Sequence, residues 1–88
     1  METPHELVTI MHLLPAGWKQ VSLEFGSMSW AARLEYGTQA FFVVSDRGCL
    51  ELYEFIQDKQ VLVPTPEEYR FSIPPPVICE LLVARTAS

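Results

Sequence analysis

Val21-Ser22-Leu23-Glu24-Phe25, then Gly26-Ser27, then Met28-Ser29-Trp30-Ala31-Ala32-Arg33-Leu34-Glu35-Tyr36: this stretch decides the fold. Apolar and polar residues alternate on both sides of a short break containing glycine, the pattern of two half-buried antiparallel strands joined by a hairpin. With Gly26-Ser27 as the loop, Phe25 is expected to face Met28, Leu23 to face Trp30 and Val21 to face Ala32, so apolar residues meet apolar residues. A slip of one residue would set Val21, Leu23 and Phe25 against Ser29, Ala31 and Arg33, mixing polar and apolar side chains on one face.

Downstream, Gly37-Thr38 is a second two-residue loop, and Ala40-Phe41-Phe42-Val43-Val44 is apolar on both faces, as a central strand is. Pairing through that loop sets Leu34 opposite Phe41 and Ala32 opposite Val43 on one face, and Arg33 opposite Phe42 and Ala31 opposite Val44 on the other. The second face thus carries Ala31, Ala40, Phe42 and Val44, too apolar a group for a fully solvated surface, and these four are the candidate interface residues.

Ser45-Asp46-Arg47-Gly48 reads as a type I turn ending in a left-handed glycine. Cys49 to Ile56 follows as a strand, although Leu52, Tyr53 and Ile56 also fit a helical face. Asp58-Lys59 then turns the chain into a short strand, Val61-Leu62-Val63, stopped by Pro64.

At the N-terminus, Thr3-Pro4-His5-Glu6 has the form of a capping box. Leu7, Val8, Met11 and Leu14 recur at helical spacing, which predicts a helix from Pro4 to about Leu14, ended by Pro15-Ala16-Gly17. Pro74-Pro75-Pro76 presets a second helix to about Arg85, with Val77, Ile78, Leu81 and Leu82 on one side; alternation of Val77, Cys79, Leu81 and Val83 would also suit a strand. Thr65-Pro66-Glu67-Glu68 repeats the capping pattern and suggests one helical turn before Tyr69.

The fold class is therefore α+β: a single small domain over residues 1–88, with one antiparallel sheet of four to five strands in meander order, an N-terminal helix and a C-terminal helix. Two helices and a sheet with two apolar faces have two solutions. Either the helices sit on opposite faces, or both lie on one face and a second copy of the chain covers the other. The 49% hydrophobic content favours the dimer.

Composition narrows the function classes. Six basic residues against eleven acidic give a net charge of −5, and the basic residues are scattered singly, so nucleic-acid binding is disfavoured. No segment approaches the roughly 20 apolar residues of a membrane helix. Glu2, His5 and Glu6 stand where a secretory signal would carry basic residues, so the cytoplasm is the expected location. Cys49 and Cys79, thirty positions apart among apolar neighbours, read as two buried thiols.

No residue cluster points to chemistry. His5 and His12 lie about 10 Å apart along a helix, too far to share one ion without Glu2, Glu6 or a remote carboxylate. Cys49 as a nucleophile would need an activating cationic environment, but after Arg47 the next charges along the chain are Glu51 and Glu54, which strand parity places on opposite faces. No catalytic, cofactor or metal residue is assigned. An aromatic wall of Trp30, Tyr36, Phe41 and Tyr53 with Glu51 and Glu54 is the candidate ligand pocket, given volume by a dimer cleft. The expected function is a non-enzymatic, acidic, homodimeric protein-interaction module; the alternative is a small-molecule-binding protein or minimal enzyme at that cleft. Small acidic α+β chains are common among phage and mobile-element accessory proteins, inhibitors of defence systems included, but here only size and charge support that association.

Overall fold

The computed structural model describes residues 3–87, in the order α1 (His5–Leu13), β1 (Lys19–Gly26), β2 (Ser29–Tyr36), β3 (Gln39–Asp46), β4 (Cys49–Ile56), β5 (Lys59–Leu62), a 3-10 turn (Glu67–Tyr69) and α2 (Pro75–Thr86). The five strands form one antiparallel meander, β1-β2-β3-β4-β5. Residues 49–56 are strand and residues 75–86 are helix, which resolves both ambiguities left by the sequence pattern.

All four pairs expected through Gly37-Thr38 are present: Leu34 with Phe41, Ala32 with Val43, Arg33 with Phe42 and Ala31 with Val44. The first hairpin differs. Its loop is Ser27-Met28, Gly26 pairs with Ser29, Phe25 with Trp30 and Leu23 with Ala32. From Ser22 to Gly26 this register lies two residues from the expected one and keeps each side chain on its face, so apolar matching alone cannot separate the two. At Gly26, the last residue of β1, a Cβ would stand 2.6 Å from the Ser29 hydroxyl, so a larger residue there requires Ser29 to turn away. Val21 does not face Ala32: the register shifts between Gln20 and Ser22, leaving Val21 as an exposed bulge residue on the edge strand. Such a bulge twists the free edge and discourages pairing with another chain.

The last two turns of the sheet also depart from expectation. Arg47 and Gly48 both take positive φ, 54° and 85°, so the β3–β4 connection is a two-residue type I′ loop and not a type I turn. The β4–β5 loop is Gln57-Asp58, at 49° and 65°, rather than Asp58-Lys59. Type I′ geometry matches the right-handed twist of the strands it joins, and that match outweighs the strain of two side chains in the left-handed region. Replacing the pair with Asn-Gly (Gln57→Asn, Asp58→Gly) is expected to stabilise the fold by about 1 kcal/mol. A urea titration would register this as a raised midpoint at constant slope, and an unchanged midpoint would mean that the loop carries no such strain.

Neither predicted capping box forms. All three helical segments instead follow a proline in extended conformation, Pro4, Pro66 and Pro74, with ψ near 140° to 147° and no side-chain cap. Because Pro4 itself occupies the cap position, Thr3 falls one residue outside the helix, beyond the position from which a cap side chain bonds the first turn. The proline ring presets the approach of the chain, and the first helical bond runs from the Val8 amide to the Pro4 carbonyl.

Both helices pack on the same face of the sheet. Leu7, Ile10 and Leu14 of the N-terminal segment and Ile78, Cys79 and Leu82 of α2 join Ala32, Leu34, Phe41, Val43 and Leu52 in one core. The helices touch each other as well: the buried Cys79 thiol donates to the Ile10 carbonyl at 3.4 Å. Trp18 closes the junction between α1 and β1, its ring 5.2 Å from Tyr36 and 5.6 Å from Phe41. Beyond β5 the chain leaves the sheet at Pro64 and returns to β4, where the Ile73 amide donates to the Leu50 carbonyl and Ser72 Oγ accepts from the Leu50 amide.

Candidate functional site

With both helices on one side, strand parity defines what the other side presents. Across its middle, β2 contributes Ala31, Arg33 and Glu35, β3 contributes Ala40, Phe42 and Val44, and β4 contributes Glu51, Tyr53 and Phe55. The four candidate interface residues therefore share this open face. Ala40 is 6% exposed but lies outside the core cluster, screened by its neighbours on the face itself. Ala31, Phe42 and Val44 are half-buried.

Arg33 organises the centre of the face. Its guanidinium carbon lies 5.6 Å from the Phe42 ring centre and 5.2 Å from that of Phe55, and the two rings meet edge to face at 6.0 Å. Its Nε donates to Glu35 at 2.8 Å. Cation–ring contacts of this kind contribute about 0.5–1 kcal/mol where water still reaches the site. Beside them, burial and the neighbouring Glu51 carboxylate push the Tyr53 phenol above its ordinary pKa. Phe55 did not emerge from sequence reasoning as a site residue, although its parity with Tyr53 and its place opposite Ala40 carry the signal.

The candidate ligand pocket is divided between two faces. Glu51 and Tyr53 lie on the open face, whereas Trp30 and Phe41 are buried in the core under the helices. Tyr36 stacks on Trp18, and Glu54 accepts from Arg85 Nε of α2 at 2.5 Å. Two shallow cavities each take in one of these residues, Glu51 or Trp30. One, of about 180 Å³, is bounded by Glu51, Leu62, Thr65, Tyr69 and Ile73; the other, of about 250 Å³, opens beside Phe25, Trp30 and Val44. Both are smaller than the roughly 300–1,000 Å³ of typical ligand sites.

Cys49 is exposed, contrary to the expectation of two buried thiols, because it opens β4 directly after the tight Arg47-Gly48 loop. Cys79 is buried, and its thiol is pushed up by desolvation and by Glu80, which keeps it protonated and poorly nucleophilic. His5 and His12 are both exposed, and no cluster of three or more metal-ligating side chains occurs among the described residues. Glu2, considered as a companion to the histidines, lies outside the described residues. No helix among the described residues is long and apolar enough to cross a membrane.

Compared with known proteins, the chain matches no family profile, no curated protein and no solved structure.

Proposed function

We propose that this protein is a non-enzymatic interaction module that acts as a homodimer, with two copies packed face to face through their open sheet surfaces. The observation that carries the reading is the one-sided placement of the helices, which leaves the half-buried Ala31, Phe42, Val44 and Phe55 with no helix of the same chain over them. Sheets bury such faces by stacking about 10 Å apart with side chains interleaved.

The available area supports the same reading. Strands β1 to β4 are eight residues long and β5 is four, so at about 4.8 Å between strands and about 3.4 Å per residue the face covers roughly 600 Å² before side-chain relief is counted. A standard interface takes about 800 Å² from each partner, which this surface approaches only when most of it is used. Its chemistry combines an aromatic and aliphatic middle, into which the Arg33–Glu35 pair and Glu51 are set, with further charged residues toward the margins at Lys19, Glu24 and Asp46.

Sedimentation equilibrium tests the proposal. The expected result is a species of twice the 10.0 kDa chain mass that dissociates on dilution. A mass of one chain at every concentration, up to the solubility limit, would refute it.

A further inference from the structure

The open face holds one cation in its apolar middle, and covering that face forces a question about it. Arg33 is bonded through Nε to Glu35, while its two terminal nitrogens have no hydrogen-bond partner among the described residues. A second copy seated on Phe42 and Phe55 excludes water from those nitrogens as well as from the rings. A guanidinium desolvated with donors unmet is strongly unfavourable, so a stable dimer has to bring acceptors to it, and a carboxylate is the strongest of these.

The face offers few acids for that role. Glu35 is already engaged, and Glu24 and Asp46 are exposed, the first on the edge strand and the second at the end of β3. Glu51 differs. It is half-buried beside Val44, one pair along the strand from Phe42, and it forms no ion pair among the described residues.

Symmetry connects the two. Arg33, Phe42 and Tyr53 form one row across β2, β3 and β4, and Ala31, Val44 and Glu51 form the next. A two-fold axis lying along β3 sets Ala40, Phe42 and Val44 near their own counterparts and lays β2 of each copy over β4 of the other. Arg33 then stands over the Tyr53 ring of the second copy, with the Glu51 carboxylate of that copy one row away, within reach of a long flexible side chain. An axis running across the strands through the row of Arg33, Phe42 and Tyr53 would instead set β2 on β2 and the root of each Arg33 on its own counterpart. Like charges meeting in a desolvated centre disfavour that arrangement.

Building on the homodimer reading, we infer that Arg33 of each copy forms an ion pair with Glu51 of the other, and that this reciprocal pair sets the alignment of the two sheets. A closed two-fold arrangement makes the contact twice, so each dimer carries two such pairs.

Charge reversal tests the pairing in the full chain. Arg33→Glu alone and Glu51→Arg alone are each expected to weaken dimerisation at least tenfold, because each sets like charges against one another at both contacts. An equimolar mixture of the two variants is expected to restore the dimer as a heterodimer. One chain is then acidic at both positions and the other basic at both, so opposite charges meet at each contact. Sedimentation reads the association, native mass spectrometry with one chain isotopically labelled reads its composition, and circular dichroism checks that each variant is folded. If a reversal unfolds the chain, Arg33→Gln and Glu51→Gln replace it, each expected to weaken the dimer and neither to rescue the other. A dimer that survives the single substitutions intact, or a mixture that stays monomeric, overturns the pairing while leaving the homodimer standing. A monomeric unsubstituted protein overturns both.

Discussion

Phe41→Glu is expected to leave the chain unfolded, whereas Phe42→Glu, one residue away, leaves it folded and monomeric. Phe41 is fully buried, and its ring lies 5.6 Å from that of Trp18 in the core. Removing a buried phenylalanine side chain alone costs about 3–5 kcal/mol. An unpaired carboxylate in the same apolar space adds several more, or titrates to its neutral form at comparable cost. Together these reach the roughly 5–15 kcal/mol of stability that a small domain possesses. Phe42 points to the opposite side of the same strand and is only half-buried. There a carboxylate finds water and the Arg33 guanidinium, which lies 5.6 Å from the Phe42 ring centre. In a face-to-face dimer, however, the two introduced charges meet near the two-fold axis. Circular dichroism and sedimentation separate the cases: an unfolded Phe42→Glu chain would make that side chain part of the chain's own core, and an undiminished dimer would move the interface elsewhere.

The contrast between these neighbours was legible because strand parity is a robust property of the backbone. Every pair expected around the Gly37-Thr38 loop is present, since a one-residue slip there would have set Leu34 and Phe41 on opposite faces. The first hairpin shows where that argument ends. Sliding Leu23 from Trp30 to Ala32 keeps the same faces, so the choice falls to turn geometry and to the side chain of Ser29 beside Gly26, neither of which hydrophobic pattern encodes. The type I′ loops at Arg47-Gly48 and Gln57-Asp58 were obscured for a related reason: only one of their four positions is the glycine that usually marks left-handed backbone. Which side the helices take was equally hidden. Both sheet faces carry apolar residues, and only the packed structure, with Cys79 against Ile10, sets the two helices side by side. The open face was thus foreseen as a list of residues, Ala31, Ala40, Phe42 and Val44. Its working centre, Arg33 over Phe42 and Phe55, depends on a side-chain reach across strands that sequence does not reveal.

Trp30→Ala is expected to destabilise the fold by roughly 3–5 kcal/mol, the usual loss for a large aromatic truncated inside a core. The sequence pattern places Trp30 opposite Leu23, on the core face with Leu34; its partners are instead Phe25 on β1 and Ser45 on β3, and the face is the same. Its 8% exposure shows that the shift in register did not bring it to the surface. Phe25 supplies the control. It lies across the strand pair from Trp30 yet is 42% exposed on the edge strand, so Phe25→Ala is expected to cost only about 1 kcal/mol. The two variants are compared by urea titration at one fixed protein concentration, because any dimer couples apparent stability to concentration. A loss below about 1 kcal/mol for Trp30→Ala, or equal losses for the two variants, would mean that the indole contributes to an exposed surface and that the core ends at Ala32.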